Sequence, residues 1–261
     1  MLLEKKANVN YENERGATAM IIAAEKGYTE VMKLLLTCPD IKINEINNKG
    51  YTPLMLACIR GHIGIIKLLL SLPNIDINAQ NIEGETALII AAESGHEETV
   101  KLLLSQPKID VNVKDIHEYN ALTKAILSGY DKTAKLLIDH PTIEINGKII
   151  YEFTSLMTAA SHNRPEIVKM LLQHPDIKIN EKNEEGFTAL MMAVSHDHIE
   201  VVKLLLDNTN TDVNIKNKLG NTALIIAIIK GNKNIINLLL NHPNINIDLK
   251  NNKNQSALFW D

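Results

Sequence analysis

The sequence is short of cysteine, aromatic residues and net charge, and each shortage excludes something. Two cysteines in 261 residues, Cys38 and Cys58, cannot staple a fold, and their spacing suggests no metal site, so reduced intracellular thiols are expected. A net charge of −4 argues against non-specific binding of nucleic acid or of a membrane surface. Apolar runs such as Ile63 to Leu72 are far too short to cross a bilayer, and Met-Leu-Leu-Glu-Lys-Lys is not a signal peptide. No phosphate-binding glycine loop, nucleophile motif or fixed pair of carboxylates is present. The expectation is therefore a protein that is not an enzyme and needs no cofactor. It is placed in the cytoplasm, with the nucleus as the alternative.

What is present is one stretch, repeated. Ala79 to Asn112 reads AQNIEGETALIIAAESGHEETVKLLLSQPKIDVN, and steps of 34 residues reproduce its key positions. From Thr86 they land on Thr18, Thr52, Asn120, Thr154, Thr188, Thr222 and Ser256. From Asn112 they land on Asn10, Asn44, Asn78, Asn146, Asn180, Asn214 and then Asp248. A fixed period of this length marks a solenoid, whose units stack only on their neighbours. Seven whole units fit, at 11–44, 45–78, 79–112, 113–146, 147–180, 181–214 and 215–248, flanked by partial units 1–10 and 249–261. No linker separates them, so 1–261 reads as a single domain. The partial units suggest a segment of a longer array.

The unit itself can be derived. Gly84 supplies a positive φ for a tight turn, and Thr86 can cap the free amides of a helix over Leu88 to Glu93. Small residues at Ala91 and Ala92 let another helix approach closely, and Gly95 ends the helix in a left-handed conformation. His96 to Ser105 forms a second helix, with Val100, Leu102, Leu103 and Leu104 as its core stripe. Pro107 stops it, and Ile109, Val111 and Val113 alternate with polar residues as a short extended arm would. The expectation is helices near 18–25 and 28–37, recurring every 34 residues.

The pattern G-x-T-A-L-x-x-A-A-x-x-G-H-x-x-x-V-K-L-L-L…D-V-N resembles the ankyrin repeat, and the match recurs in register over essentially the whole chain. The 34-residue form resembles ankyrin proteins expanded in some protists. The resemblance implies an all-α solenoid of stacked helix–turn–helix units with short hairpin loops. The family's T-P-L-H signature departs here: its His slot holds Ile21, Met55, Ile89, Thr123, Met157, Met191, Ile225 and Phe259, and only Pro53 keeps the proline. Apolar packing is therefore expected to replace a polar link between repeats. The resemblance also implies that arm asparagines such as Asn78, Asn112 and Asn180 could be hydroxylated; the structural alternative is that each bonds the loop backbone.

Nine histidines invite a metal reading, but most recur by register. His62, His96 and His198 begin second helices, and His140, His174 and His242 precede the loop proline or its equivalent. Residues recurring this way serve the scaffold. His162 and His196 lie one repeat apart, without a carboxylate or cysteine that would complete a recognisable ligand set.

The resemblance implies that turn tips and first helices line a concave binding face. The slot before each cap holds Tyr51, Tyr119, Phe153 and Phe187, four of the chain's ten aromatic residues, three of them in consecutive repeats. The tip slot adds Ile82, Ile116 and Ile150, and the next position adds His117 and Tyr151. Because the cap side chain faces the helix, the residue before it is expected to be largely solvated. An aromatic cluster with polar surroundings is the composition of a protein-binding hot spot. The function expected is a scaffold binding another protein, neither nucleic acid nor membrane. Uncapped terminal repeats, with Leu2, Leu3, Leu258, Phe259 and Trp260, suggest end-to-end self-association as well. The alternative is a structural spacer within a larger protein. Asn163 and Asp197, standing where other repeats have glycine between the helices, are expected to mark the weakest repeats.

Overall fold

The protein is described from a computed structural model over residues 8–260, so Leu2, Leu3, Asp261 and the Trp260 side chain lie outside the description. It divides at residue 143 into two compact units, each taken by itself. The first holds four helix pairs: α1 (Ala19–Lys26) with α2 (Thr29–Leu35), α3 (Pro53–Arg60) with α4 (Ile63–Leu70), α5 (Ala87–Glu93) with α6 (Glu97–Leu104), and α7 (Ala121–Ser128) with α8 (Asp131–Ile138). The second holds three: α9 (Ser155–Ser161) with α10 (Pro165–Leu172), α11 (Ala189–Ser195) with α12 (Ile199–Leu206), and α13 (Ala223–Lys230) with α14 (Lys233–Leu240). Short 3-10 turns occupy Ile150–Glu152 and Ala257–Trp260.

The caps do what the sequence predicts. Thr18, Thr52, Thr86, Asn120, Thr154, Thr188 and Thr222 each accept from the amide three residues on, through side chains that are themselves buried. This satisfies one donor that the helix start otherwise leaves open. Between the helices, Gly27, Gly61, Gly95, Gly129 and Gly231 take positive φ, and Asn163 (φ 51°) and Asp197 (φ 60°) do so without glycine's freedom. The close approach expected at the small residues is present. Ala57, Ala91, Ala125, Ala159, Ala193 and Ala227 are fully buried, and within each unit each first helix packs on the first helix of the next repeat.

One expectation about packing needs correction. In α6 only Val100 and Leu103 of the proposed stripe are fully buried; Leu102 and Leu104 are half-buried, because α6 packs on α4, α5 and α8 but leaves its outer face to solvent. The arms are loops with no strand among the described residues, as an all-α solenoid requires, and Val111, Ile145, Ile179 and Val213 turn inward from them.

The larger correction concerns polar links between repeats. The slot that holds His in the family is apolar and buried at Ile21, Met55, Ile89, Met157, Met191 and Ile225 and holds the buried Thr123 in the fourth repeat, but polar ties are present; they sit elsewhere. Arm asparagines clamp the following loop through both ends of the amide at Asn10, Asn44, Asn78, Asn146, Asn180 and Asn214. Asn78 Nδ2 donates to the Lys108 carbonyl at 2.8 Å while its Oδ1 accepts from the Asp110 amide at 3.0 Å. Asn180 does the same with Asn210 and Asp212, at 2.8 and 2.9 Å. The amides of these asparagines serve the scaffold, as the structural alternative to hydroxylation expects. The first-turn histidines add a second tie. Nε2 of His62, His96 and His198 lies 3.2, 3.1 and 3.0 Å from the carbonyls of Glu25, Ile59 and Ser161, at the end of the preceding repeat's first helix.

Candidate functional site

The tips are built by a single device. In the third repeat the Gly84 amide donates to the Asn81 carbonyl at 2.9 Å, and Asn81 Oδ1 accepts from the amides of Glu83 and Glu85 at 3.0 and 2.9 Å. The next tip then docks backbone to backbone, with the Ile116 amide on the Glu83 carbonyl at 3.0 Å. A Cβ added to Gly84 would stand 2.9 Å from that Ile116 amide, so glycine serves both the turn and the stacking. The tip side chain is consequently pushed outward: Ile82 and Ile116 are 64% and 60% exposed.

In the first unit the expected site residues Tyr51, Ile82, Ile116, His117 and Tyr119 lie on successive tips. His117 is exposed, its ring 6.4 Å from that of Tyr119. Tyr51 is half-buried, and burial, with the nearby Glu85 carboxylate adding to it, holds its hydroxyl above the usual tyrosine pKa. Tyr119 is half-buried too, and Lys124 Nζ sits 5.8 Å from its ring centroid. Lys124 escaped the sequence reading. Its register is otherwise apolar or neutral (Ile22, Leu56, Ile90, Thr158, Met192, Ile226), and the asparagine that anchors most of the tips is here Asp115. The two departures belong together. Lys124 Nζ lies 3.2 Å from Asp115 Oδ2 and 3.3 Å from Glu93, with the Lys124 side chain 13% and that of Asp115 2% exposed. Burial would lower the Lys124 pKa, but the Glu93 charge and the hydrogen bonds to Asp115 and Glu93 outweigh it and hold it above the usual lysine value.

In the second unit the expected residues are Ile150, Tyr151, Phe153 and Phe187. The fifth-repeat tip breaks the device: Ile149 replaces the anchoring asparagine and is buried, and Tyr151 (φ 58°) and Glu152 (φ 59°) are both left-handed without being glycine. Lys148 Nζ pairs with Glu152 at 3.1 Å, and the Tyr151 carbonyl accepts from the Glu184 amide at 3.1 Å. The tip therefore points Ile150 and Tyr151 outward, Tyr151 at 63% exposure. Strained backbone persists only where its surroundings over-determine it, and such places cluster at functional sites.

Phe153 and Phe187 are half-buried, which corrects the expectation of largely solvated rings. They lie against the first helices, and with Tyr151 and the buried Met192 they line an apolar groove of about 560 Å³. Its rim carries Glu184, Glu185, Ser195, His196 and Lys230. Of these, His196 was visible in the sequence only as a doubtful metal ligand. Its Nδ1 lies 2.9 Å from the Met192 carbonyl, and its ring stacks on His198 at 5.7 Å. Among the described residues no three His, Cys, Asp or Glu side chains gather as a metal ion would require. No described helix is long and apolar enough to cross a membrane.

Comparison with known proteins agrees with this geometry. A family model described as ankyrin repeats in three copies matches residues 1–81, 73–149 and 145–217, and one described as ankyrin repeats in many copies matches 195–240. A search of curated protein sequences found no match. Among solved structures, the ankyrin repeat domain of Bcl-3, described as a unique member of the IkappaB protein family, superposes with a TM-score of 0.78 at 25% identity, covering 87% of this chain and 100% of that one. Such repeats are generally protein-interaction modules. The chain belongs to the ankyrin repeat family.

Proposed function

We propose that this protein is a non-enzymatic scaffold that binds another protein through its tips and the adjoining first helices, on the concave face. The observation that carries the reading is the set of exposed apolar tips. Ile82, Ile116, Ile150 and Tyr151 stand in solvent at positions the fold leaves free, since Asn48, Lys218 and Asn252 fill the Ile82 slot elsewhere. Exposed apolar side chains in successive repeats gain free energy only when a partner covers them.

Because Phe153 and Phe187 also pack on the scaffold, removing them would confound folding with binding. The cleaner test is Ile116→Glu with Tyr151→Glu, two exposed positions. Proteins captured by the wild-type chain should be lost by this variant while its thermal melt is unchanged. A capture profile identical to wild type would overturn the reading and favour the spacer.

An end-to-end contact between copies is part of the same proposal. Val31 is exposed although Ile65, Ile167 and Val201 in its register are buried, and Leu258 and Phe259 are exposed. Sedimentation should show concentration-dependent association; a strict monomer at high concentration would remove this element.

A further inference from the structure

The groove beside the fifth and sixth tips has a charge pattern as well as an apolar lining, and the pattern selects among partners. Glu184 and Glu185 are exposed neighbours on one rim, and neither forms an ion pair among the described residues, whereas Glu152 beside them is paired with Lys148. Lys230, at the end of α13, also lines the groove and is the only lysine or arginine among its described lining residues. Tyr151, Phe153 and Phe187 line it too and retain solvent-facing ring surface. Two adjacent carboxylates repel each other, and a guanidinium or ammonium brought against them relieves that repulsion, most effectively by charge-assisted hydrogen bonds. The Lys230 ammonium disfavours a second basic group beside it. Anionic ligands such as nucleic acid or phosphate gain nothing from a rim with two free carboxylates.

We infer that this groove takes a short peptide segment of a partner protein in which one aliphatic or aromatic side chain is followed or preceded by an arginine or lysine. The apolar side chain lies against Tyr151 and Phe187, and the basic group meets Glu184 and Glu185. This rests on the scaffold reading and adds the partner's chemistry.

The test pans a displayed library of random dodecapeptides against the full chain and measures the enriched peptides, fluorescently labelled, by anisotropy. The expected result is enrichment of an apolar residue beside a basic one. Tyr151→Ser and Glu184→Gln/Glu185→Gln should each weaken binding about tenfold, in line with loss of a hot-spot contact. Glu184→Lys/Glu185→Lys should select acidic residues in place of basic ones, and Lys230→Glu should admit a second basic residue. Thermal melts confirm that each variant is folded; the glutamine pair keeps the test valid if the lysine pair is not. Enrichment without a basic residue, binding unchanged in the glutamine pair, or no enrichment at all would overturn the inference. Peptides whose binding is lost in Ile82→Glu/Ile116→Glu but kept in Tyr151→Ser would do so too, while leaving the scaffold reading intact.

Discussion

The third and fifth repeats solve the same problem differently. In the third, Asn81 folds the tip, Gly84 permits the turn and the approach of the next tip, Gly95 ends α5, and His96 ties the second helix to the Ile59 carbonyl. In the fifth, Ile149, Glu152, Asn163 and Arg164 hold those four registers, and Tyr151 joins Glu152 and Asn163 as a third left-handed residue. Each left-handed residue other than glycine costs roughly 1–2 kcal/mol. Glu118 (φ 65°) and Asn254 (φ 60°) also replace the turn glycine, but among the described residues only the fifth tip has two successive left-handed residues other than glycine. A chain that departs furthest where it turns apolar side chains outward gives up local stability at that exposed surface.

Breaking the regular repeat should have the largest effect. Gly84→Ala introduces a left-handed alanine and a Cβ within 2.9 Å of the Ile116 amide. Strain and crowding together should cost about 3 kcal/mol, seen as a lower denaturant midpoint. A loss near zero would mean the tips are looser than their backbone bonds indicate. Next is the fourth repeat's private ion pair. Lys124→Met leaves the Asp115 carboxylate buried without its cation, for a loss of about 2–3 kcal/mol. Lys124→Ile with Asp115→Asn, restoring the residues usual at these registers, should recover most of that loss; additive losses would show the pair is uncoupled. The sign with pH follows from the raised Lys124 pKa. The folded state favours the charged amine, so this stabilisation is fully present below the lysine's unfolded pKa. It is lost as pH rises through the higher folded value, in the alkaline range.

Smaller effects sharpen the contrast. Asn163→Gly and Asp197→Gly should each stabilise by about 1 kcal/mol, and amides of α9 to α12 should exchange faster than those of α5 and α6 in the wild type. Slower exchange there would contradict the ranking of the repeats. The regular repeat has its own flaw: the Thr99 hydroxyl is fully buried without a hydrogen-bond partner, where Ile65, Ile167 and Val201 stand in register. Thr99→Val should raise stability by about 1 kcal/mol in the same denaturation assay.

Much of this was legible from register alone. Period, caps, helix pairs and left-handed junctions recur at fixed spacing because each is a local backbone requirement, met by Thr or Asn at a cap and by Gly, Asn or Asp at a positive φ. The ties between repeats were not, because Asn78 clamps a loop some thirty residues away, and nothing local distinguishes that from an asparagine bonding its own turn. The half-burial of Phe153 and Phe187 was missed for a related reason: a position that tolerates Ala17 or Gln255 is not required to be apolar, yet a large ring there still reaches the neighbouring first helix. The Lys124–Asp115 pair was readable as two simultaneous departures from register.

The central proposal is that the fifth tip is strained because it serves binding. The direct measurement grafts the regular tip onto it, with Ile149→Asn, Tyr151→Glu and Glu152→Gly, and reads denaturant stability and partner capture on the same variant. Relief of two left-handed residues should raise stability by about 2 kcal/mol while capture by the second unit is lost. A variant that is no more stable than wild type, or that keeps its captured partner, would contradict the account.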